Sequence, residues 1–222
     1  MTTEQQATGA YVTHPAYTDL QAAVNTKRQR LAHALSIEYD WHYHDGPEWA
    51  ARYWQTFGDL TIDQADTPAD RAHKPRHQWP RLSPSQAHDV RTIFRSLLAV
   101  AHAEIDPSAA ADARAMLWPA IRRAYRRGDH SALVAAWSET RALVRRPKLP
   151  EDVVALRHEH DRLIAAIAAA DRRLARLNQS FPFNIRDKLD DADWVRHQRR
   201  ALAQIRALIQ TPAGDIPCKR VS

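Results

Sequence analysis

The stretch "FRSLLAVAHAEIDP", residues 94–107, ends an apolar helical run in His102, Ala103 and Glu104, with Asp106 and Pro107 just beyond. A histidine and an acid two residues apart, where a helix stops, are the residue types of an active device or only of a loop. Other reactive residue types fall short of a site. His42 and His44 in "WHYHD" are two apart, as are His158 and His160 in "HEH". On a helix, positions i and i+2 point in different directions, so neither pair shares a metal well. No further ligands complete either set, and no metal or other cofactor is expected. Asp187, Asp190, Asp191 and Asp193 fall where a helix begins, and acids suit the positive end of the helix dipole. Capping explains them better than paired-carboxylate catalysis. Serine, histidine and aspartate are plentiful but form no nucleophile motif. Cys218 lies in a tail with only Lys219 and Arg220 beside it. No catalytic set emerges, and the chain reads as non-enzymatic.

The elements that position these residues are helical. The chain has 222 residues, enough for one large domain or two small ones, and only 5 glycines. Few glycines argue against a Gly-rich phosphate cradle and a turn-dense β fold. Abundant alanine and long stretches without breakers predict an all-α fold. The single cysteine allows no internal disulfide and suits a reducing compartment. The opening "MTTEQQATGAYVTHP" lacks the basic start and apolar core of a signal peptide, and no apolar run approaches a membrane span. The expectation is a cytoplasmic protein with no membrane partner.

Residues 1–16 read as disordered and 17–60 as an N-terminal helical segment. Thr18 and Gln21 suggest a capping box, followed by a helix to about His44 with Leu20, Val24, Leu31 and Leu35 on its apolar side. "DGP" at 45–47 should break it, and Pro47 should begin a second helix rich in aromatics: Trp49, Tyr53, Trp54 and Phe57. Residues 61–82 carry three prolines and read as a linker. "SPSQ" then starts a helix, with Ser83 as N-cap, Pro84 at N1 and Gln86 at N3. That helix buries Val90, Ile93, Phe94, Leu97, Leu98 and Ala101. Asp106 and Pro107 restart a helix that runs to Gly128, with Pro119 expected to kink or shorten it. Asp129 caps another helix, carrying Leu133, Val134, Trp137 and Val144.

Beyond "RRPKLP", residues 151–211 carry two apolar seams: Val153, Leu156, His160, Leu163, Ile167, Ala170, Leu174 and Leu177, then Val195, Gln198, Leu202, Ile205 and Ile209. Joined by a Pro-containing connector, they predict an antiparallel helical hairpin, a coiled coil, with Phe181, Pro182, Phe183, Ile185 and Leu189 at its tip. The alternative is that each seam pairs with a second chain, giving a homodimer. Residues 212–222 form a tail.

Charge is unevenly spread. The net charge is +6, and residues 119–148 alone hold eight basic residues against Asp129 and Glu139, so the remainder balances to zero. Arg122 with Arg126 and Arg123 with Arg127 are i,i+4 pairs that form two adjoining stripes, with Trp118, Ile121 and Tyr125 on the opposite, apolar side. Phosphate contacts are open to such a patch; base stacking needs exposed rings, which are not expected here.

Taken together, residues 83–146 resemble a J-domain, the module by which DnaJ-related, Hsp40-type co-chaperones act on Hsp70. The family's second helix and loop commonly read Tyr-Arg-x-Leu-Ala, then four residues on His-Pro-Asp, then x-Asn-Pro. In the same frame this chain has Phe94, Arg95, Leu97 and Leu98, then His102, Ala103 and Glu104, then Asp106 and Pro107. The family's Phe-x-x-Ile-x-x-Ala-Tyr is met by Trp118, Ile121, Ala124 and Tyr125. "RYWQTFGDL", "YRRGD" and "RLNQSFPFNIRDKLDDADWV" resemble pieces of bacterial J-domain-like proteins in which a hairpin with a Ser-Phe-Pro-Phe tip follows the J-like unit.

That resemblance implies an Hsp70-type partner and assigns the stimulatory motif to His102, Ala103 and Glu104. It also implies a basic face on the second helix, of which Arg91 and Arg95 remain. The departures imply more. Ala103 replaces the proline that fixes φ in the loop, and Glu104 puts the acid on a longer arm. The expectation is a degenerate J-like domain with Hsp70 stimulation lost: an adaptor for another protein. The alternatives are an attenuated co-chaperone and a basic nucleic-acid accessory protein.

Overall fold

The structure is a computed structural model that describes residues 15–60, 82–105, 107, 111–143 and 152–210. Among these residues it is all-α, with no strand. Helix α1 spans Pro15–Asp40, a π-helical turn spans Trp41–Asp45, and α2 spans Gly46–Phe57. Then come α3 (Pro84–Ala101), α4 (Ala111–Arg127), α5 (His130–Leu143) and α6 (Val153–Gln179). A 3₁₀ segment, Phe183–Asp190, leads into α7 (Ala192–Gln210).

Helix ends follow their local chemistry. Ser83 accepts from the Gln86 N–H at 3.3 Å, and the Gln86 side chain accepts from the Ser83 N–H at 2.9 Å, the reciprocal box that "SPSQ" predicts. Gly128 sits at φ 65° and closes α4; its N–H donates to Tyr125 and the Asp129 N–H donates to Ala124. The Asp129 carboxylate then accepts from Ala132 N–H at 3.0 Å and caps α5. Asp191 does the same for α7, accepting from the Asp193 and Trp194 N–H groups.

Several expectations are corrected. Helix α1 already includes Thr18, so Thr18 is no cap, and residues 15 and 16 are helical. "DGP" does not break the chain: Asp45 and Gly46 keep right-handed helical backbone, and the Gly46 N–H reaches the Trp41 carbonyl five residues back. Pro47 has no N–H, and its ring crowds the carbonyl of residue i−4, so a wider π turn passes it without breaking the helix. Pro107 lies in a turn, and the described helix α4, Ala111–Arg127, continues through Pro119. Residues 1–14, 61–81, 106, 108–110, 144–151 and 211–222 lie outside the described residues, and with them the linker, the tail and Val144.

The core lies where α1 crosses the other elements. Val24, Leu31 and Leu35 of α1, Phe94, Leu97 and Leu98 of α3, Ile121 and Tyr125 of α4 and Leu133 of α5 are all buried. The seam of α6 contributes Leu156, Leu163, Ile167 and Ala170. Here the predicted hairpin is corrected too. Helix α6 packs along α1, not along α7. The connector explains why: Phe183 is buried and stacks on Trp41 at 4.8 Å, and Leu189 is buried, so the 3₁₀ segment docks on the π turn and α2. It delivers α7 to the end of α2, where Trp194 meets Phe57 edge-on and Arg199 reaches the Thr56 carbonyl and Asp59.

Candidate functional site

The turn after α3 is built around His102. Its N–H closes the helix on Leu98, and its carbonyl accepts from the Ile105 N–H at 3.0 Å. The ring is buried edge-on against Trp118, 4.9 Å away, and its Nδ1 accepts from the Glu104 N–H at 3.3 Å. Ile105 is fully buried, while Ala103 is exposed. His102 is thus a packed ring that holds a tight turn.

Two arginines of α6 grip this turn. Arg162 donates to the Glu104 carbonyl at 2.7 Å and to the Ile105 carbonyl at 3.0 Å. It is itself fixed by Glu159 at 2.7 Å, and Glu159 also takes Arg28 of α1 at 2.8 Å. Arg173 donates to both oxygens of Glu38 of α1, at 2.9 and 3.0 Å, and to the Glu104 carboxylate at 3.2 Å. Burial disfavours the charge on Glu159, but its hydrogen bonds from Arg162 and Arg28 outweigh burial and hold it below the usual carboxylate range. Glu104 keeps 40% of its side-chain surface exposed, so the grip leaves it partly open to water.

A second network lies under the start of α3. Arg91 donates to Asp40 at 3.0 Å and to Asp45 at 3.3 Å, and the Tyr125 hydroxyl donates to the same Asp40 oxygen. Tyr125 stacks face to face on Phe94 at 3.6 Å and meets the His44 ring edge-on at 4.7 Å. Burial pushes the Tyr125 hydroxyl far above its ordinary value and pulls His44 down to about 4. Burial and the neighbouring Asp40 raise Asp45.

The remaining predicted positions fall in different places. Arg91 is turned into this network, while Arg95 is exposed on α3. Arg122, Arg123, Arg126 and Arg127 are exposed on α4, with Ile121 and Tyr125 buried behind them. Helices α3 and α4 run antiparallel, since His102 meets Trp118 while Gly128 lies against Leu82. The end of the arginine stripe is therefore at the far end of α3 from the His102 turn. Phe183 and Pro182 are buried, and Phe181 is 45% exposed with one edge on Tyr53. Among the described residues, no group of three or more His, Cys, Asp or Glu could hold a metal.

The α6 arginines and their partners went unread in the sequence. Glu159, Arg162 and Arg173 flank seam positions, where charges guide helix pairing. Glu159 is the middle residue of "HEH", where the flanking histidines draw attention to metal binding rather than to helix pairing.

The fold and these contacts define an all-α chain whose reactive-looking turn is held by ion pairs within the molecule. Among the described residues, no helix is long and apolar enough to cross a membrane. No protein-family model, no curated protein and no solved structure matches this chain.

Proposed function

We propose that this chain is a non-enzymatic adaptor built on a degenerate J-like scaffold, without the capacity to stimulate Hsp70. One observation carries the reading: the acid that the resemblance would assign to an Hsp70 partner, Glu104, is engaged by Arg173, and Arg162 holds the carbonyls of the same turn. An acid shared with an internal cation must give up that hydrogen bond before it meets an external one. Arg91 supports the same view, because its guanidinium is spent on Asp40 and Asp45. The partner we propose is another protein, met in the cytoplasm. A second reading, an attenuated co-chaperone, is favoured by the exposure of Arg95 and of part of Glu104.

The test is steady-state ATP hydrolysis by the host's own Hsp70. It is run with the wild type, with Ala103→Pro/Glu104→Asp and with Arg162→Ala/Arg173→Ala. The adaptor reading expects the wild type to leave the rate unchanged. Stimulation by the wild type would replace it with the co-chaperone reading. Stimulation only by the proline-aspartate or the arginine variant would identify an intact scaffold with a disarmed turn.

A further inference from the structure

Some arginines of this protein are paired within the fold, others such as Arg95, Arg157, Arg172, Arg176 and Arg200 are exposed on other helices, and four stand together within six residues of α4. Arg28, Arg52, Arg91, Arg173 and Arg199 are each paired with an acid of another element, and Arg162 is held by Glu159 of its own helix and by the Glu104 and Ile105 carbonyls. Arg122, Arg123, Arg126 and Arg127 are exposed, and none of the four makes an ion pair with a described residue. The nearest acid in sequence, Asp129, makes no ion pair with them, although the Arg127 charge helps to hold its carboxylate low. Its carboxylate faces the N-terminus of α5, held below the usual range by the Ala132 N–H and the Ser131 hydroxyl.

The helix dipole favours cations in the last turn and so accounts for Arg126 and Arg127, but not for Arg122 and Arg123, which lie a turn earlier. The platform is rigid, because Ile121, Ala124 and Tyr125 anchor the other face of α4 in the core. Gly128 ends the helix directly after Arg127. Two i,i+4 stripes on a fixed helix make a row of forked donors suited to phosphate oxygens. No exposed ring stands on α4 beside them: Tyr125 is buried and Trp118 is half-buried. That favours a backbone already held in a duplex over a single strand whose bases need stacking partners.

We propose that the exposed face of α4 binds the phosphodiester backbone of duplex nucleic acid, without reading its sequence, through Arg122, Arg123, Arg126 and Arg127. The end of the site formed by Arg126 and Arg127 stands at the other end of α3 from the His102 turn.

Fluorescence anisotropy of the full chain tests it. The probes are a DNA duplex and an RNA duplex of about 20 base pairs, the matching single strand, and phosphatidylcholine vesicles containing phosphatidylserine. Four neutralised phosphates give a slope of roughly −3.6 in log K against log salt, so duplex affinity should fall roughly 100-fold between 50 and 200 mM salt. Replacing all four arginines by glutamine should abolish binding, and replacing them by lysine should keep most of the slope. Should the glutamine variant not fold, Arg123→Gln and Arg127→Gln alone should each reduce the slope by about one. The preferred duplex names the source of the phosphate. Absent duplex binding, binding that ignores these substitutions, a single strand bound as tightly as the duplex, or vesicles bound in its place would each overturn the assignment.

Discussion

His44 shows how far one side chain departs from its sequence appearance. In "WHYHD" it is half of an unconvincing metal pair; in the fold its ring sits against Tyr125, and burial lowers it to about 4. Arg91 adds to the lowering and Asp40 opposes it. In the unfolded chain a histidine titrates near 6.5. Between about pH 6.5 and about pH 4 the unfolded chain therefore binds a proton that the folded chain refuses. Stability is full above that window and falls as pH drops through it, by at most about 3.4 kcal/mol at 1.36 kcal/mol per unit, and by less because the ring is only partly buried. Two neighbours act elsewhere or in the other sense. Glu159, held low, loses its contribution only as pH falls through its own depressed value. Asp45, raised by burial and by Asp40, gains a proton more readily when folded and so offsets part of the loss. Both cancel when the wild type is compared with His44→Gln. Urea unfolding at about pH 7 and about pH 4.5 should show the wild type losing about 2 kcal/mol more than the variant over this interval. Equal losses would mean that His44 is protonated in the native state.

The π turn between α1 and α2 is the element most dependent on one residue. A Cβ at Gly46 would stand 2.4 Å from the Trp41 carbonyl oxygen and 3.2 Å from a ring carbon of Phe183. The first is backbone and cannot yield cheaply; the second is a buried ring stacked on Trp41. Gly46→Ala should cost about 1–3 kcal/mol in urea unfolding and alter the near-ultraviolet signal of the Trp41–Phe183 stack. A stable variant with an unchanged signal would mean that this packing is looser than described. The same element marks the limit of sequence reading. Ser83 with Gln86, Gly128 and Asp129 act through neighbours a few residues away, and all were legible. The apolar side of α1 and the seam of α6 were legible as periodicity, but not as each other's partner. Leu31 and Leu163 are more than a hundred positions apart, and nothing local says which seam meets which. The same distance hid Arg173 from Glu104 and Arg162 from the turn carbonyls. At the candidate site, residue types were readable, while their engagement by α6 was a tertiary fact.

At the scale of the molecule, the pairing of α6 with α1 decides what the seams imply about assembly. A seam met within the chain has no need of a second chain. Leu156 and Leu163 are fully buried in the single copy, and Arg28–Glu159, Arg30–Asp171 and Arg173–Glu38 clasp the two helices from the flanks. The thermal midpoint should therefore not change across a hundredfold range of protein concentration. Leu163→Ala should lower stability by about 2–5 kcal/mol through the cavity it leaves, equally at every concentration. A midpoint that climbs with concentration would show that a second copy contributes. The place to look would then be α7, where Ile205, Leu208 and Ile209 are 50%, 76% and 57% exposed beyond the part that Trp194 and Arg199 tie to α2. Leu208→Glu with Ile209→Glu separates the cases. If association runs through α7, the concentration dependence disappears and the dilute midpoint changes little, because these side chains are largely exposed in the single copy. If the dependence survives the change, the seam of α6 is shared between chains and its pairing with α1 is wrong.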